Sequence, residues 1–151
     1  MTTDVAQAIA WRADFATGVA IIDDQHRVLV KMLNDASAQL TDASPLKDYE
    51  VIVQGLLNYA AYHFKTEEGL MATHGYDKAR TALAVEHIKQ HKGFAEKVFA
   101  ANEQIKAGTR IPKKKLVDFL TAWLTNHILH TDKVLGAFLR DKLIQGAAGK
   151  A

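Results

Sequence analysis

Apolar residues return along most of this chain in alternating steps of four and three. The first such stripe is Ile22, His26, Leu29, Leu33, Ala36 and Leu40, the spacing of one face of a helix. Asp23 and Asp24 at its start suit an N-cap, and the helix is expected to end near Leu40. Ser44 and Pro45 suit the cap and first position of a second helix. This one spans about residues 45–73, with the stripe Tyr49, Val53, Leu56, Ala60, His63, Glu67 and Leu70. Gly75 reads as its stop and Asp77 as the next cap. A third helix carries Ala84, His87, His91, Phe94, Val98, Ala101 and Ile105 and ends at Ala107-Gly108. A fourth begins near Pro112, with Leu116, Leu120, Leu124, His127, Thr131, Leu135 and Phe138 in line. No segment alternates as a strand bounded by hairpin turns would.

Four amphipathic helices with short connections predict an all-α fold, an up-down-up-down four-helix bundle. Residues 1–151 form one domain on this reading. Residues 1–20 are an irregular N-terminal arm whose Trp11 and Phe15 pack across one end. Residues 21–144 form the bundle, and residues 145–151 a frayed tail.

The stripes contain polar residues where a bundle needs apolar ones. His63 and Glu67 lie one helical turn apart and point the same way. His87 and His91 repeat that spacing, and His26 sits near the start of its helix. His127 is followed five residues later by Asp132. In an antiparallel bundle all seven fall toward the same end. Buried unpaired, each would cost on the order of a few kcal/mol, and metal binding would remove that cost. Asp132 is the awkward member. Five residues advance a regular helix by about 500°, leaving it about 140° from His127. It reaches the centre either from the seam's edge or through a local widening of the helix.

Composition narrows the chemistry. The 151 residues are 48% hydrophobic and 24% charged, with a net charge of +2, ordinary for a globular domain. Neither the charge nor any basic, aromatic-interleaved stripe suggests nucleic acid. The absence of cysteine excludes disulfides, thiolate zinc sites and iron–sulfur clusters. No apolar run approaches membrane-spanning length, and the N-terminus lacks a signal-peptide core. A cytoplasmic protein without membrane insertion is expected.

The order His26, His63-x-x-x-Glu67, His87-x-x-x-His91, His127-x-x-x-x-Asp132 resembles the hemerythrin family, and within it the single-domain bacterial hemerythrins. The similarity spans about residues 11–144 and includes the flanks Asp24-Gln25-His26 and Glu67-Glu68-x-Leu70-Met71. The resemblance implies a non-haem di-iron centre (Fe2+/Fe3+) with a bridging oxo or hydroxo group. His87, His91 and His127 would hold one iron, His26 and His63 the other, and Glu67 and Asp132 would bridge them. Two octahedral metals offer twelve positions. Five imidazoles, two bridging carboxylates and one shared oxygen fill eleven and leave one open. Seven shared N/O donors suit iron better than zinc, which normally takes four ligands.

The implied function is reversible dioxygen binding, for carriage, storage or delivery, with the partner of any delivery unspecified. The alternatives are an oxygen, redox or nitric oxide sensor and a di-iron oxidase or peroxidase. No acid–base residue stands out beyond the ligands, so the chain is read as a binding protein rather than an enzyme, and as a monomer. Leu124, Trp123 and Phe64 are the candidates to line an oxygen pocket. His74 reads as a solvated turn residue. His130 is expected to be exposed or to touch a ligand, and Glu68 and Glu86 to be surface groups. Lys113-Lys114-Lys115 reads as a solvated face.

Overall fold

The computed structural model describes residues 8–148. All regular elements among them are helical: a 3-10 turn (Ala13–Phe15) in the arm, then α1 (Ala20–Gln39), α2 (Leu46–Thr73), α3 (Tyr76–Ala79), α4 (Thr81–Lys106), α5 (Lys113–Asn126) and α6 (Lys133–Ala148). A π-helical turn, His127–Asp132, joins α5 to α6 without a break. The long rods are therefore α1, α2, α4 and the continuous α5–α6, in the expected up-down-up-down order. α1 packs on α2 and α5, and α2 on α4, while the short α3 wedges against α2, α4 and α6.

Several boundaries differ from the sequence reading, each for a local reason. α1 begins at Ala20, and Asp23 lies inside its first turn. Its buried carboxylate reaches back to accept from Thr17 N (2.8 Å), Thr17 Oγ1 (2.8 Å) and Gly18 N (3.1 Å), so it fastens the arm rather than capping the helix. Pro45, not Ser44, is the residue before α2. Ser44 Oγ instead accepts from Thr41 N at 2.8 Å. Asp77 lies within α3, not at a cap. Gly75 does end α2, at φ +76°, a left-handed conformation that glycine adopts at little cost. α6 continues to Ala148, past the expected end at 144, where alanines favour helix. The rest of the expected tail, 149–151, and residues 1–7 of the arm lie outside the described residues.

The arm is docked at residues 8–19. Asn34 clamps it, accepting from Ile9 N (2.9 Å) and donating to Ile9 O (2.7 Å). Phe15 is buried, and Trp11 meets it edge-on at 5.5 Å. Gly136 makes the fit possible: a Cβ there would stand 2.8 Å from Thr17 O. At the opposite end of the bundle Asp42 Oδ1 accepts from Lys113 N at 2.8 Å. The loop after α1 thereby satisfies one of the free N–H groups at the start of α5.

The core has two apolar parts. The larger gathers Leu33, Val53, Leu56, Phe94, Val98, Leu120 and their neighbours. The smaller gathers Val19, Ile22, Met71, Tyr76, Ala84, Leu135 and Leu139. Buried polar residues lie between them. Along α2 and α4 the buried seam drifts off the expected stripe, so Met71 and Asn102 are buried where Leu70 and Ala101 are half-exposed. A straight helix drifts by about 20° per seven residues. In the last rod the π turn supplies one extra residue, and Asp132 and Leu139 replace Thr131 and Phe138 as the buried positions.

Candidate metal centre

Seven polar side chains meet between the two apolar clusters, from all four rods. His26, His63, Glu67, His87, His91, His127 and Asp132 are each at most 4% exposed. They form two groups that share their carboxylates. One comprises Glu67, His87, His91, His127 and Asp132, the other His26, His63, Glu67 and Asp132. Within each group the candidate ligand atoms lie within 4.8 Å of one another.

Asp132 reaches this centre because of the π turn. A π turn closes its hydrogen bonds five residues back instead of four, so a residue five positions on returns to nearly the same face. Asp132 Oδ1 lies 3.1 Å from His127 Nε2 and 3.1 Å from His87 Nε2. Its Oδ2 lies 2.9 Å from His26 Nε2. Glu67 is placed by simpler means, one turn after His63, with Oε1 2.5 Å from His63 Nε2 and Oε2 3.3 Å from His87 Nε2.

These distances are short, yet the groups do not satisfy one another. Both carboxylate oxygens of Glu67 and of Asp132, and Nε2 of His26 and His87, are buried without a well-formed hydrogen bond. A buried polar atom left so costs about 1–3 kcal/mol. Lone pairs that crowd together without pairing are what a cation between them would require.

The outer nitrogens make the same point. Gln25 Nε2 donates to Thr66 Oγ1 (3.1 Å), whose own hydroxyl donates to Tyr62 O (3.2 Å). The amide is thereby oriented with its oxygen toward His63, whose Nδ1–H donates to it at 2.7 Å. Thr131 Oγ1 donates to Gln90 Oε1 (2.8 Å), which also accepts from His127 Nδ1–H (2.9 Å). Glu68 Oε2 accepts from His91 Nδ1–H at 2.9 Å. With Nδ1 donating outward, each ring turns Nε2 inward, and the neutral form presents there the lone pair that binds metal. His91 Nε2 and His127 Nε2 are 3.1 Å apart. Two bare nitrogens at that distance repel unless a proton or a metal cation is shared between them. The donor set, nitrogen and oxygen without sulfur, suits iron or manganese.

Titration follows the same crowding. Burial disfavours a charge on His87, but the carboxylates of Asp132 and Glu67, at 3.1 and 3.3 Å, outweigh it and raise its pKa to about 9. Burial, together with His87 and His127, pushes His91 down to about 2. Burial opposes the charge on Asp132 too, yet His127, His26 and His87 hold it well below the usual carboxylate range.

A cavity of about 30 Å³ adjoins the cluster, bordered by His26, His63, His127 and Asp132 on one side. The remaining walls are apolar or aromatic: Leu29, Leu33, Leu56, Ala60, Phe64, Phe94, Leu120, Trp123 and Leu124. The three pocket candidates from the sequence are thus all on it. Phe64 stacks on His91 (3.9 Å, 10°) and Trp123 on His127 (4.4 Å, 12°). Leu124 is buried one turn before His127.

His74 is half-exposed at the end of α2 and belongs to neither group, while His130 and Glu86 are exposed. Glu68 is a correction. It is not a plain surface group, because it holds His91 from outside. Gln25 and Gln90 were not singled out by the sequence as partners of the histidines. All three adjoin a candidate ligand in sequence but serve one on a neighbouring helix. The flanks Asp24-Gln25-His26 and Glu67-Glu68-x-Leu70-Met71 were the only signs of this, and they do not say which helix Gln25 or Glu68 faces.

The fold and site define a helical-bundle protein with a buried histidine–carboxylate cluster suited to metal. The family profile described as Hemerythrin HHE cation binding domain matches residues 17–139, and the chain belongs to the hemerythrin family. It is 33% identical over 127 residues to a bacteriohemerythrin of Pseudomonas aeruginosa, covering 82% of this chain and 76% of that one. A bacteriohemerythrin of Clostridium acetobutylicum is 30% identical, with 82% and 95% covered. Myohemerythrin-1 of Phascolopsis gouldii is 27% identical, with 85% and 92% covered. Among solved structures, a wild-type hemerythrin superposes with a TM-score of 0.76 at 27% identity, with 87% and 97% covered. No helix among the described residues is long and apolar enough to cross a membrane.

The raised pKa of His87 gives a prediction for metal loading. Without metal, its proton stabilises the fold fully below the ordinary value of 6.5, and that contribution is lost as pH rises through about 9. The proton must leave before Nε2 can bind. Loading near pH 7 is therefore expected to release protons, and apparent affinity to rise with pH up to about 9. Below that, His87 alone costs up to about tenfold per pH unit. Calorimetric titration in two buffers of different ionisation enthalpy counts the protons. A pH-independent affinity between 6 and 9 is the contrary result.

Proposed function

We propose that this protein binds dioxygen reversibly at a non-haem di-iron centre, for oxygen carriage, storage or delivery, and is not an enzyme. The observation that carries the reading is one arrangement: two ligand groups share two carboxylates, and a small apolar cavity borders the cluster. His87, His91 and His127 would hold one iron, His26 and His63 the other, with Glu67 and Asp132 shared. Two ferrous ions there would supply the two electrons that reversible oxygen binding uses.

The side chains account for the rest. His63, His91 and His127 are oriented with Nε2 inward by Gln25, Glu68 and Gln90. The cavity touches both histidines of the two-histidine group but only His127 of the other, which favours the two-histidine side as the one with a free position. Its walls carry no polar side chain besides the ligands and the Trp123 indole. No general acid or base is therefore placed to carry a bound ligand into further chemistry. Five neutral imidazoles also donate less charge than the glutamate-rich sets of oxygen-activating bundles. All seven ligands come from one chain, so we infer a monomeric working unit, and we infer a cytoplasmic setting.

The test is the optical spectrum of anaerobic, ferrous-loaded protein, recorded before air, after air and after oxygen is removed. The expected result is a new visible band in air that disappears on deoxygenation with recovery of the ferrous spectrum. Irreversible conversion on first exposure, or turnover of a reductant, would point to a redox enzyme or sensor instead.

A further inference from the structure

Three of the five candidate ligand histidines have a protein acceptor on Nδ1, and the acceptors are not alike. His63 and His127 face the neutral amides of Gln25 and Gln90. His91 alone faces a carboxylate, Glu68, at 2.9 Å. The ring cannot turn away, because Phe64 lies flat against it at 3.9 Å. Glu68 is 37% exposed, so water reaches it, while its partial burial raises its pKa above the ordinary value. Nδ1 of His26 and Nδ1 of His87 have no protein acceptor among the described residues.

A full negative charge behind an imidazole draws its Nδ1 proton outward and makes Nε2 a stronger donor. A neutral amide does so far less. His91 belongs only to the group with three histidines, so this effect reaches one side of the centre and not the other.

Resting on the di-iron reading above, we propose that Glu68 is a positioning residue that polarises the centre through His91. The three-histidine side holds ferric iron more tightly. The two-histidine side, which borders the cavity, keeps the higher potential and holds ferrous iron in a one-electron-oxidised centre. Gln25 and Gln90 supply the internal comparison, since an amide oxygen does the same positioning at 2.7 and 2.9 Å. Charge and hydrogen bonding can therefore be separated by one substitution.

Glu68→Gln keeps an acceptor and removes the charge, and Gln90→Glu adds a charge on the same side. Both are compared with the wild-type chain for iron content, redox titration and Mössbauer spectra of the half-oxidised state. Glu68→Gln is expected to retain its iron and weaken ferric over ferrous binding by about tenfold on one side. That is a rise of about 59 mV for the one-electron couple. Gln90→Glu should move the same couple downward. An unchanged potential in Glu68→Gln at full iron content overturns the proposal. So does loss of iron from Glu68→Gln, which would make the residue a brace for the ring and nothing more.

A metal-free readout separates this proposal from the di-iron reading. The Nδ1 proton of His91 should resonate downfield of those of His63 and His127, and lose that offset in Glu68→Gln. Equal shifts for all three rings overturn the proposal even if two irons bind. A distinct His91 shift in a chain that fails to bind two irons would instead leave the charge effect standing and remove the di-iron reading.

Discussion

Glu67→Ala is expected to lose iron, where His74→Ala keeps it. Glu67 is fully buried and belongs to both ligand groups. Its two oxygens face His63 and His87 on opposite sides of the centre. Removing it deprives both metals at once, so the loss of affinity should exceed the roughly 10–100-fold typical of a merely supporting partner. The metal-free fold should suffer too. His87 holds its raised pKa through Asp132 and Glu67 together, so removing Glu67 leaves it one of its two carboxylates and lowers that pKa. His74 stands half-exposed at the end of α2, outside both groups, and its loss should change neither quantity. Iron content and thermal unfolding of the two variants are the measurements. Equal iron retention would show that Glu67 does not bridge.

Leu124→Ala is expected to leave both irons bound but shorten the life of the oxygenated spectrum by at least about tenfold, a barrier change of about 1.4 kcal/mol. Leu124 is 8% exposed and forms part of the wall of a cavity of only about 30 Å³. Its side chain offers no hydrogen bond to incoming water or anions. Truncation enlarges the cavity and removes part of its apolar wall, so water enters more readily, and water supplies the protons that end reversible binding. Removing a buried leucine also costs about 2–5 kcal/mol of stability, so decay must be followed at matched iron content and below the unfolding transition. Decay no faster than wild type would mean that Leu124 does not guard the site.

Periodicity was enough to read the bundle because the four long rods bury one stripe each, and His63, Glu67, His87 and His91 are placed by ordinary helical spacing. Helix ends were harder. Asp23 resembles a cap in sequence but is turned back onto the arm, and Ser44 ties its own loop, choices made by tertiary contacts. Asp132 shows the limit most clearly. The spacing from His127 pointed to an irregularity, but its kind, a π turn over six residues, depends on how α6 packs after it. Glu68, Gln25 and Gln90 were illegible for a related reason. They lie one residue from a candidate ligand in the chain, and their partners lie across a helix interface that one-dimensional spacing does not define.

The proposed oxygen binding depends on the seven side chains forming one site for two metals. Iron analysis of the full chain after anaerobic ferrous loading and removal of loosely bound metal tests this most directly. Two irons per chain is the expected result. A firm stoichiometry of one metal per chain would contradict it.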